Sequence, residues 1–479
     1  MRLPLRYYLL KLYKSVHILL ILLLITIVIA YFGGYRLTYN EIPIELLHYQ
    51  VIPQLNPWDP SILKYYKKPY PLKCAVFQNN VTVLSNGRIK ILDEYRDSLA
   101  CRCRTFEHYD GVSDFKVSYD EWTDIDPVKG KVVAKDFVEV ECHSKGILPT
   151  KKYSYHWPQI LLYILKRSLM SFLNSSTDHP SVLLFGLDSM SRSNVIRALP
   201  KFHRQLQSMG FIDMTGHVKI ADNTFQNWAA FLTGKRCSPT REFKGELPDE
   251  WYIFFDDWPF IWKNFSDARY ATLFAEDRPD IATYNYLEKL NGFKFKPTDH
   301  YFRPYWLEIF WNFLKMRSTP FCYDAIPTHK LQLHYLKEFL KQYDGIRSFA
   351  FHWSQELSHE YMNQVGIGDD SFAQFFADIQ PYISNTIIVV VSDHGHRYDA
   401  IRETIIGRLE SRLPYFSIYL PENFRKKYPS IVANIQLNSK KLTTPFDIHQ
   451  TLIDIANVSF TESSCIVYCV FPVYMAIII

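Results

Sequence analysis

The sequence predicts an α/β fold. A mostly parallel sheet with helices on both faces is preceded by a membrane anchor and a small β-rich N-terminal region. Three observations carry this. From residue 180 onward, short apolar runs alternate with helical text, as in parallel strands buried on both faces and joined by helical crossovers. Residues 71–150 instead hold short β-like runs. Near the N-terminus, residues 18–32 read ILLILLLITIVIAYF, without a charge.

The composition agrees. A chain of 479 residues has room for a full α/β core and an accessory region. Its 48% hydrophobic and 22% charged content excludes disordered and collagen-like classes, and 33 Tyr with 34 Phe predict a large core. A net charge of +5, from 54 basic and 49 acidic residues mixed along the chain, gives no basic face for nucleic acid.

Taken in order, residues 1–15 read as a cytoplasmic tail and 16–35 as a transmembrane signal anchor. Arg2, Arg6, Lys11 and Lys14 precede the apolar run, while Arg36, Glu41 and Glu45 follow it. The positive-inside rule then sends everything after residue 35 to the lumen or the cell exterior. The long apolar stretch and the lack of a clear small-x-small site favour an uncleaved anchor over a cleaved signal peptide. The expectation is a single-pass type II membrane protein of the secretory pathway lumen or cell surface, with a secreted protein as the alternative. Sequons at Asn80, Asn174, Asn264 and Asn457 agree with a glycoprotein. Of eight cysteines, Cys74, Cys101, Cys103 and Cys142 lie close together with no His partners at zinc-finger spacing. In an oxidising compartment they read as disulfides clipping the N-terminal region.

Residues 36–175 read as a lumenal stem and a small β-rich, Cys-containing region. The stem is the Pro- and Tyr-rich stretch 36–70. The β-like runs are CAVF (74–77), VTVL (81–84), RIKIL (88–92), FKVSY (115–119) and KVVAKDFVEVEC (131–142), with helical text at 157–173. Residues 176–460 form the main α/β domain. Its candidate strands are 181–189, 271–276, 348–353, 385–395 and 415–421. Its candidate helices are 191–208, 225–233, 328–342, 369–383 and 446–456. The stretch 461–479 is an apolar tail of unclear role.

Ligands of such sheets gather where strands end at their carboxyl edge. Two strands end in acidic chemistry there. Asp188 follows VLLFGL, and Asp393 and His394 follow IIVVVS. One Asp after a strand is commonly a helix N-cap. An Asp-His pair after five apolar residues is a good half-site for a divalent metal such as Zn or Mn. Thr224 precedes the apolar helical run of ADNTFQNWAAFLTGK. Its plain role is an N-cap hydroxyl; its chemical role is a nucleophile at a helix N-terminus, where the dipole favours an anionic group.

These residues resemble the alkaline phosphatase/sulfatase superfamily. More closely, the chain resembles a sulfatase-like family of unknown function abundant in nematodes and insects (domain of unknown function 229). The matching text is VLLFGLDSMSRSNVIRALPKF, DNTFQNWAAFLTGK, LFAEDRP, HYFRPYW, WSQELSHEY, VVVSDHGHRY, RLPYFSIYLP and LTTPFDIHQTL, in order over roughly residues 70–460. The resemblance implies an alkaline phosphatase-like sheet. It implies Thr224 as the catalytic nucleophile, with Asp188, Thr224, Asp393 and His394 around one divalent metal (Zn, Mn or Ca). His359 is the best candidate for a second ion or the substrate. Many relatives carry an Asp four residues before that His, where this chain has Gln355. His396 and His449 are lesser candidates, and the resemblance gives His449 a structural place at a helix start. Glu276, Asp277, Asp299, His300, Arg303 and Lys235 read as capping, loop or rim groups. The implied function is a membrane-anchored, metal-dependent hydrolase or transferase acting on an anionic phosphate or sulfate ester. The alternative is a degenerate, non-catalytic sulfatase-like binding protein of the cell surface or matrix. The oligomeric state is left open.

Phosphate is favoured over sulfate. Cys237-Ser-Pro-Thr-Arg241 imitates the C-x-P-x-R text of formylglycine sulfatases, but it follows the LTG of the helix instead of opening it. Thr224 occupies the opening position.

Overall fold

The computed structural model describes residues 52–146, 152–162, 176–237, 244–248, 251–286 and 289–458. The expected anchor (16–35), the tail (461–479) and residues 163–173 of the expected helix lie outside them. Among the described residues, no helix is long and apolar enough to cross a membrane. The chain divides into Met1–Pro53 with Phe471–Ile479, and Gln54–Val470. The description below concerns the second unit.

Its N-terminal part is antiparallel. β1 (Thr82–Ser85), β2 (Arg88–Ile91) and, further on, β6 (Lys131–Val132) make one small sheet. β3 (Leu99–Tyr109), β4 (Ser113–Tyr119), β5 (Thr123–Asp124), β7 (Phe137–Ser144) and β8 (Lys152–Pro158) make a second, ordered β4-β3-β7-β8 with β5 on β3. β3, the longest strand among the described residues, has no clear signal in the local sequence, and β8 ends inside the stretch 157–173 expected to be helical. Charged residues interrupt β3. Arg102 and Arg104 project to one side and pair across the ladder with Glu141 and Glu139 of β7, while Cys101 and Cys103 on the other side are buried. CAVF (74–77) forms no strand.

The clustered cysteines are only partly local. Cys101 and Cys142 face each other on β3 and β7 and are bonded. Cys74 instead bonds to Cys322, 248 residues away, and Cys103 is a buried thiol. The stem beyond residue 54 also docks on the core. Tyr66 Oη donates to the Arg197 carbonyl, and Ile62 packs with Met362 and Ile401.

The main sheet contains β9 (Ser181–Leu187), β10 (Ile212–Asp213), β11 (Ala271–Glu276), β12 (His300–Tyr301), β15 (Ser348–Ser354), β16 (Thr386–Val391) and β17 (Phe416–Tyr419). A small hairpin, β13 (Cys322–Tyr323) and β14 (Ile326–Pro327), lies apart. The order is β10-β17-β16-β9-β15-β11-β12. β16, β9, β15, β11 and β12 run parallel; β17 is antiparallel to both of its neighbours. Successive residues feed two cores, as two-residue periodicity requires. Leu183, Phe185, Ile388 and Val390 face one; Val182, Leu184, Ile387 and Val389 face the other.

The helices follow in chain order: α1 (Arg192–Ala198), α2 (Pro200–Met209), α3 (Thr224–Thr233), α4 (Ile261–Asp267), α5 (Arg303–Phe310), α6 (Phe313–Arg317), α7 (Thr328–Gln342), α8 (Asp369–Asp378), α9 (Ile405–Glu410), α10 (Glu422–Lys427), α11 (Pro429–Asn438) and α12 (Pro445–Ala456). The expected helix 191–208 breaks at Pro200, which opens α2 because it lacks the N–H needed inside a helix. Phe202 and Leu206 of α2 and Phe372 and Phe376 of α8 cover the first face. Trp228 and Phe231 of α3, Trp262 of α4 and Leu452 of α12 cover the second. Phe106 and Phe137 join the first core, so the antiparallel sheet packs on the α/β sheet.

Candidate active site

Four parallel strands end at one edge of the sheet. β9 runs out into Asp188, β16 into Ser392-Asp393-His394, β11 into Asp277 and β15 into Gln355. The exits are stitched together. Asp188 N donates to the Ser354 carbonyl at 2.9 Å, and Met190 N donates to Ser392 Oγ at 2.8 Å.

Asp188, Asp393 and His394 meet here, with one ligand atom of each within 4.8 Å of the others. All three are fully buried. Their oxygens are used asymmetrically. Asp188 Oδ1 accepts from Ser189 Oγ at 2.7 Å, and Asp393 Oδ1 accepts from Ser189 N at 3.2 Å and His394 N at 2.8 Å. Both Oδ2 atoms are buried without a hydrogen-bond partner. His394 Nδ1 donates to the Gly395 carbonyl at 3.0 Å, which leaves Nε2 facing Asp393 Oδ2 at 3.2 Å. Burial, then the neighbouring Asp393, pushes the Asp188 carboxyl well above its usual range. Burial holds the His394 imidazole down to about 4. Two orphaned carboxylate oxygens and a neutral imidazole nitrogen around one point are a mutually repulsive set, which a cation among them would relieve. Their hard oxygen and borderline nitrogen donors suit a divalent ion.

Thr224 comes to the same place from α3. It is the first helical residue; Asn223 takes the N-cap position, so the hydroxyl is not spent on the cap. Thr224 Oγ1 lies 3.4 Å from His394 Nε2 and donates to it. The turn before Thr224 is held by Asn227. Its side chain accepts from Ile220 N and Ala221 N, and donates to the carbonyls of Ala221 and Asn223.

His359 is not brought into this group. Its Nδ1 sits 2.9 Å from Glu360 Oε1, and its ring lies 5.9 Å from that of Tyr398. His396 is its electrostatic neighbour and faces Asp399 at 3.3 Å. Gln355 turns away to donate to Glu276 Oε1 at 2.8 Å. His449 lies under the end of α3 and donates to the Phe231 carbonyl at 3.0 Å, a structural role. Asp277 accepts from Ser354 Oγ and Gln355 N, holding the β15 exit. Asp299 accepts from Thr272 N, His300 lies between Asp136 and Tyr343, and Arg303 donates to the carbonyls of Asp114 and Pro279. His300 and Arg303 join the β-rich part to the core, while Asp299 stays within the main sheet. Lys235 pairs with Glu246 at the surface. Cys237 is a buried thiol.

Two residues escape the sequence reading. Ser189 bridges both carboxylates from a left-handed backbone conformation, φ 60°. Asn227 is fully buried within an apolar helix, and that polar interruption was its signal. A second group of possible ligands, Glu139 of β7, His156 of β8 and Glu308 of α5, lies where the antiparallel sheet meets the main domain. Arg104 already neutralises Glu139 at 2.7 Å, and His156 contacts Tyr323 Oη at 3.0 Å, so that group is an internal polar network.

Solved structures with a similar chain path include three bacterial proteins. A protein in the alkaline phosphatase superfamily from Vibrio parahaemolyticus has 13% identity and a TM-score of 0.38, covering 60% of this chain and 70% of its own. The lipoteichoic acid synthase LtaP from Listeria monocytogenes has 11% identity and a TM-score of 0.35, covering 53% and 68%. The periplasmic domain of phosphoethanolamine transferase EptC from Campylobacter jejuni has 9% identity and a TM-score of 0.38, covering 60% and 94%. No curated protein matches the chain. Residues 68–465 match the family model described as "Protein of unknown function (DUF229)", and the chain belongs to that family.

Proposed function

We propose that this protein is a metal-dependent hydrolase or transferase of phosphate esters, or of sulfate esters, working through Thr224. The observation that carries the reading is the convergence of Thr224, Asp188, Asp393 and His394 from three separate segments, with two buried carboxylate oxygens left without partners. Asp188, Asp393 and His394 would hold one divalent cation beside Thr224. Bound there, it would supply Lewis-acid charge and lower the pKa of a neighbouring hydroxyl. The Thr224 hydroxyl gives up its proton to solvent, and its oxygen attacks the phosphorus or sulfur in line with the ester oxygen. The new bond to Thr224 forms as the ester bond breaks, and the alcohol leaves with a proton from solvent. Water, or a second alcohol in a transferase, then displaces Thr224 and restores the hydroxyl. Ser189 orients both carboxylates, and Asn227 sets the turn that presents Thr224. Residues 16–35 anchor the enzyme, which faces the lumen or the cell exterior.

The test uses the full chain, metal analysis and panels of aryl phosphate, phosphodiester and aryl sulfate. Thr224→Ala is expected to lower activity at least ~10³-fold while the metal stays bound. Asp393→Asn is expected to lose both. Full activity in Thr224→Ala would overturn the nucleophile assignment.

A further inference from the structure

Beside Thr224 lies a group of cations to which neither the sequence nor the reading above gives a role. Arg397 stands three residues after His394, on the same loop. Its Nη1 donates to the carbonyl of Asp222 at 2.7 Å and to Asn223 Oδ1, on the turn that leads directly into Thr224. The guanidinium therefore ties the loop of Asp393 and His394 to the turn of the nucleophile. Both acceptors are uncharged oxygens, and Nε is buried without a hydrogen-bond partner. Its charge is felt at both Asp188 and His394.

Lys219 opens the same turn. Its side chain is only 7% exposed, and its ammonium lies 2.6 Å from Asp222 Oδ1. It too acts electrostatically on His394. Arg402 and Arg412 stand near enough to oppose the charge of Lys219, and Arg402 and Arg397 both act on Asp222. Lys219, Arg397 and Arg402 thus gather around the one carboxylate of Asp222, which is exposed, with Arg412 beside Lys219, Glu403 exposed beyond and Asp399 facing His396. Asp188 and Asp393 together carry the charge that balances a divalent ion. The cations of the turn are left in excess, at a partly buried place where field lines concentrate.

We infer that Lys219 and Arg397 hold the non-bridging oxygens of a phosphate monoester dianion at Thr224, and so select this class over monoanionic sulfate esters and phosphodiesters. This deepens the reading under Proposed function and rests on it for the position of the reacting group. Arg suits the role because its planar fork matches two oxygens of one phosphate, whereas Lys adds a compact charge. The excess of positive charge favours two negative charges over one by the Coulomb interaction of the second, which is larger in a partly buried site than in water. Asp222 keeps the ammonium of Lys219 in place when no ester is bound.

Equilibrium binding of phenylphosphonate and benzenesulfonate, inert mimics of a phosphate monoester and a sulfate ester, to the metal-replete full chain tests this, at about pH 8 so that the phosphonate carries two charges and the sulfonate one. Metal content is measured on the same samples. Wild type is expected to bind the phosphonate at least tenfold tighter than the sulfonate. Arg397→Gln and Lys219→Met are each expected to weaken phosphonate binding at least tenfold, to bring the two anions closer in affinity and to keep the metal. Arg397→Lys, which keeps the charge and is mild for folding, is expected to retain part of the preference. Equal affinity for the two anions in wild type, no phosphonate binding by wild type, or an unchanged preference in both Arg397→Gln and Lys219→Met would overturn the inference. A wild-type chain without metal that still binds the phosphonate, and loses it in Arg397→Gln, would retire the metal reading and leave these two residues their role.

Discussion

At the scale of single residues, the candidate site depends on polar groups buried deeply enough that their chemistry changes. Glu276 shows this outside the metal-ligand set. Its Oε1 accepts from Thr283 N, Thr283 Oγ1 and Gln355 Nε2, yet burial pushes its carboxyl up from 4.5 to about 7. The folded chain therefore binds a proton between these values that the unfolded chain releases. The stability this contributes is fully present below pH 4.5 and is lost as the pH rises through about 7. Glu276→Gln keeps an acceptor oxygen and removes the ionisation. Its melting temperature is expected to exceed that of wild type at about pH 8, by the equivalent of about 3 kcal/mol at most, and to converge with it in acid. Thermal unfolding across that pH range checks the sign. A wild type that gains more stability than Glu276→Gln on going from acid to about pH 8 would refute it.

At the scale of elements, the loop after β16 is placed by what lies behind it. Gly395 N donates to the Ser411 carbonyl at 3.1 Å, and a Cβ on Gly395 would lie 2.2 Å from the Glu410 carbonyl. Glu410, at the end of α9, is itself fixed by a bidentate pair with Arg197 of α1, both contacts 2.6 Å, and by Ser191 Oγ. The loop thus rests on backbone that cannot retreat. Gly395→Ala is expected to cost about 1–3 kcal/mol by overpacking. The same push would displace Asp393 and His394, so metal affinity should fall more than global stability does. Denaturant unfolding and metal titration on one preparation separate the two. Metal affinity equal to wild type would show that the loop is not held by this contact.

At the scale of the whole molecule, the stem and the antiparallel sheet are built onto the α/β sheet. The Cys74–Cys322 bridge joins residues 248 apart in sequence, and Phe106 and Phe137 complete a core made largely by α7, with β9, β11, α5 and α8. Removing that crosslink as the pair Cys74→Ala/Cys322→Ala is expected to lower stability by about 2–5 kcal/mol. The effect should disappear when wild type and variant are compared under reducing conditions. An unchanged denaturation midpoint in oxidised protein would mean that docking of the stem does not depend on the bridge.

The sequence by itself determined the strand–helix order of the main sheet. Buried parallel strands must be apolar on both faces, and that leaves an unmistakable local text in SVLLFGL, ATLFAE, SFAFHW and TIIVVV. It also marked Asp188, Thr224, Asp393 and His394, because acidic and hydroxyl groups at strand exits and helix starts interrupt such text. Tertiary structure decided the rest. β3 was hidden because Arg102 and Arg104 look like loop charges until Glu141 and Glu139 lie opposite them. The pairing of Cys74 with Cys322, the bond of Ser189 N to Asp393 and the approach of Arg397 to the turn at Asp222 are long-range contacts. Local sequence carries no record of such contacts, because what fixes them is the packing of segments hundreds of residues apart.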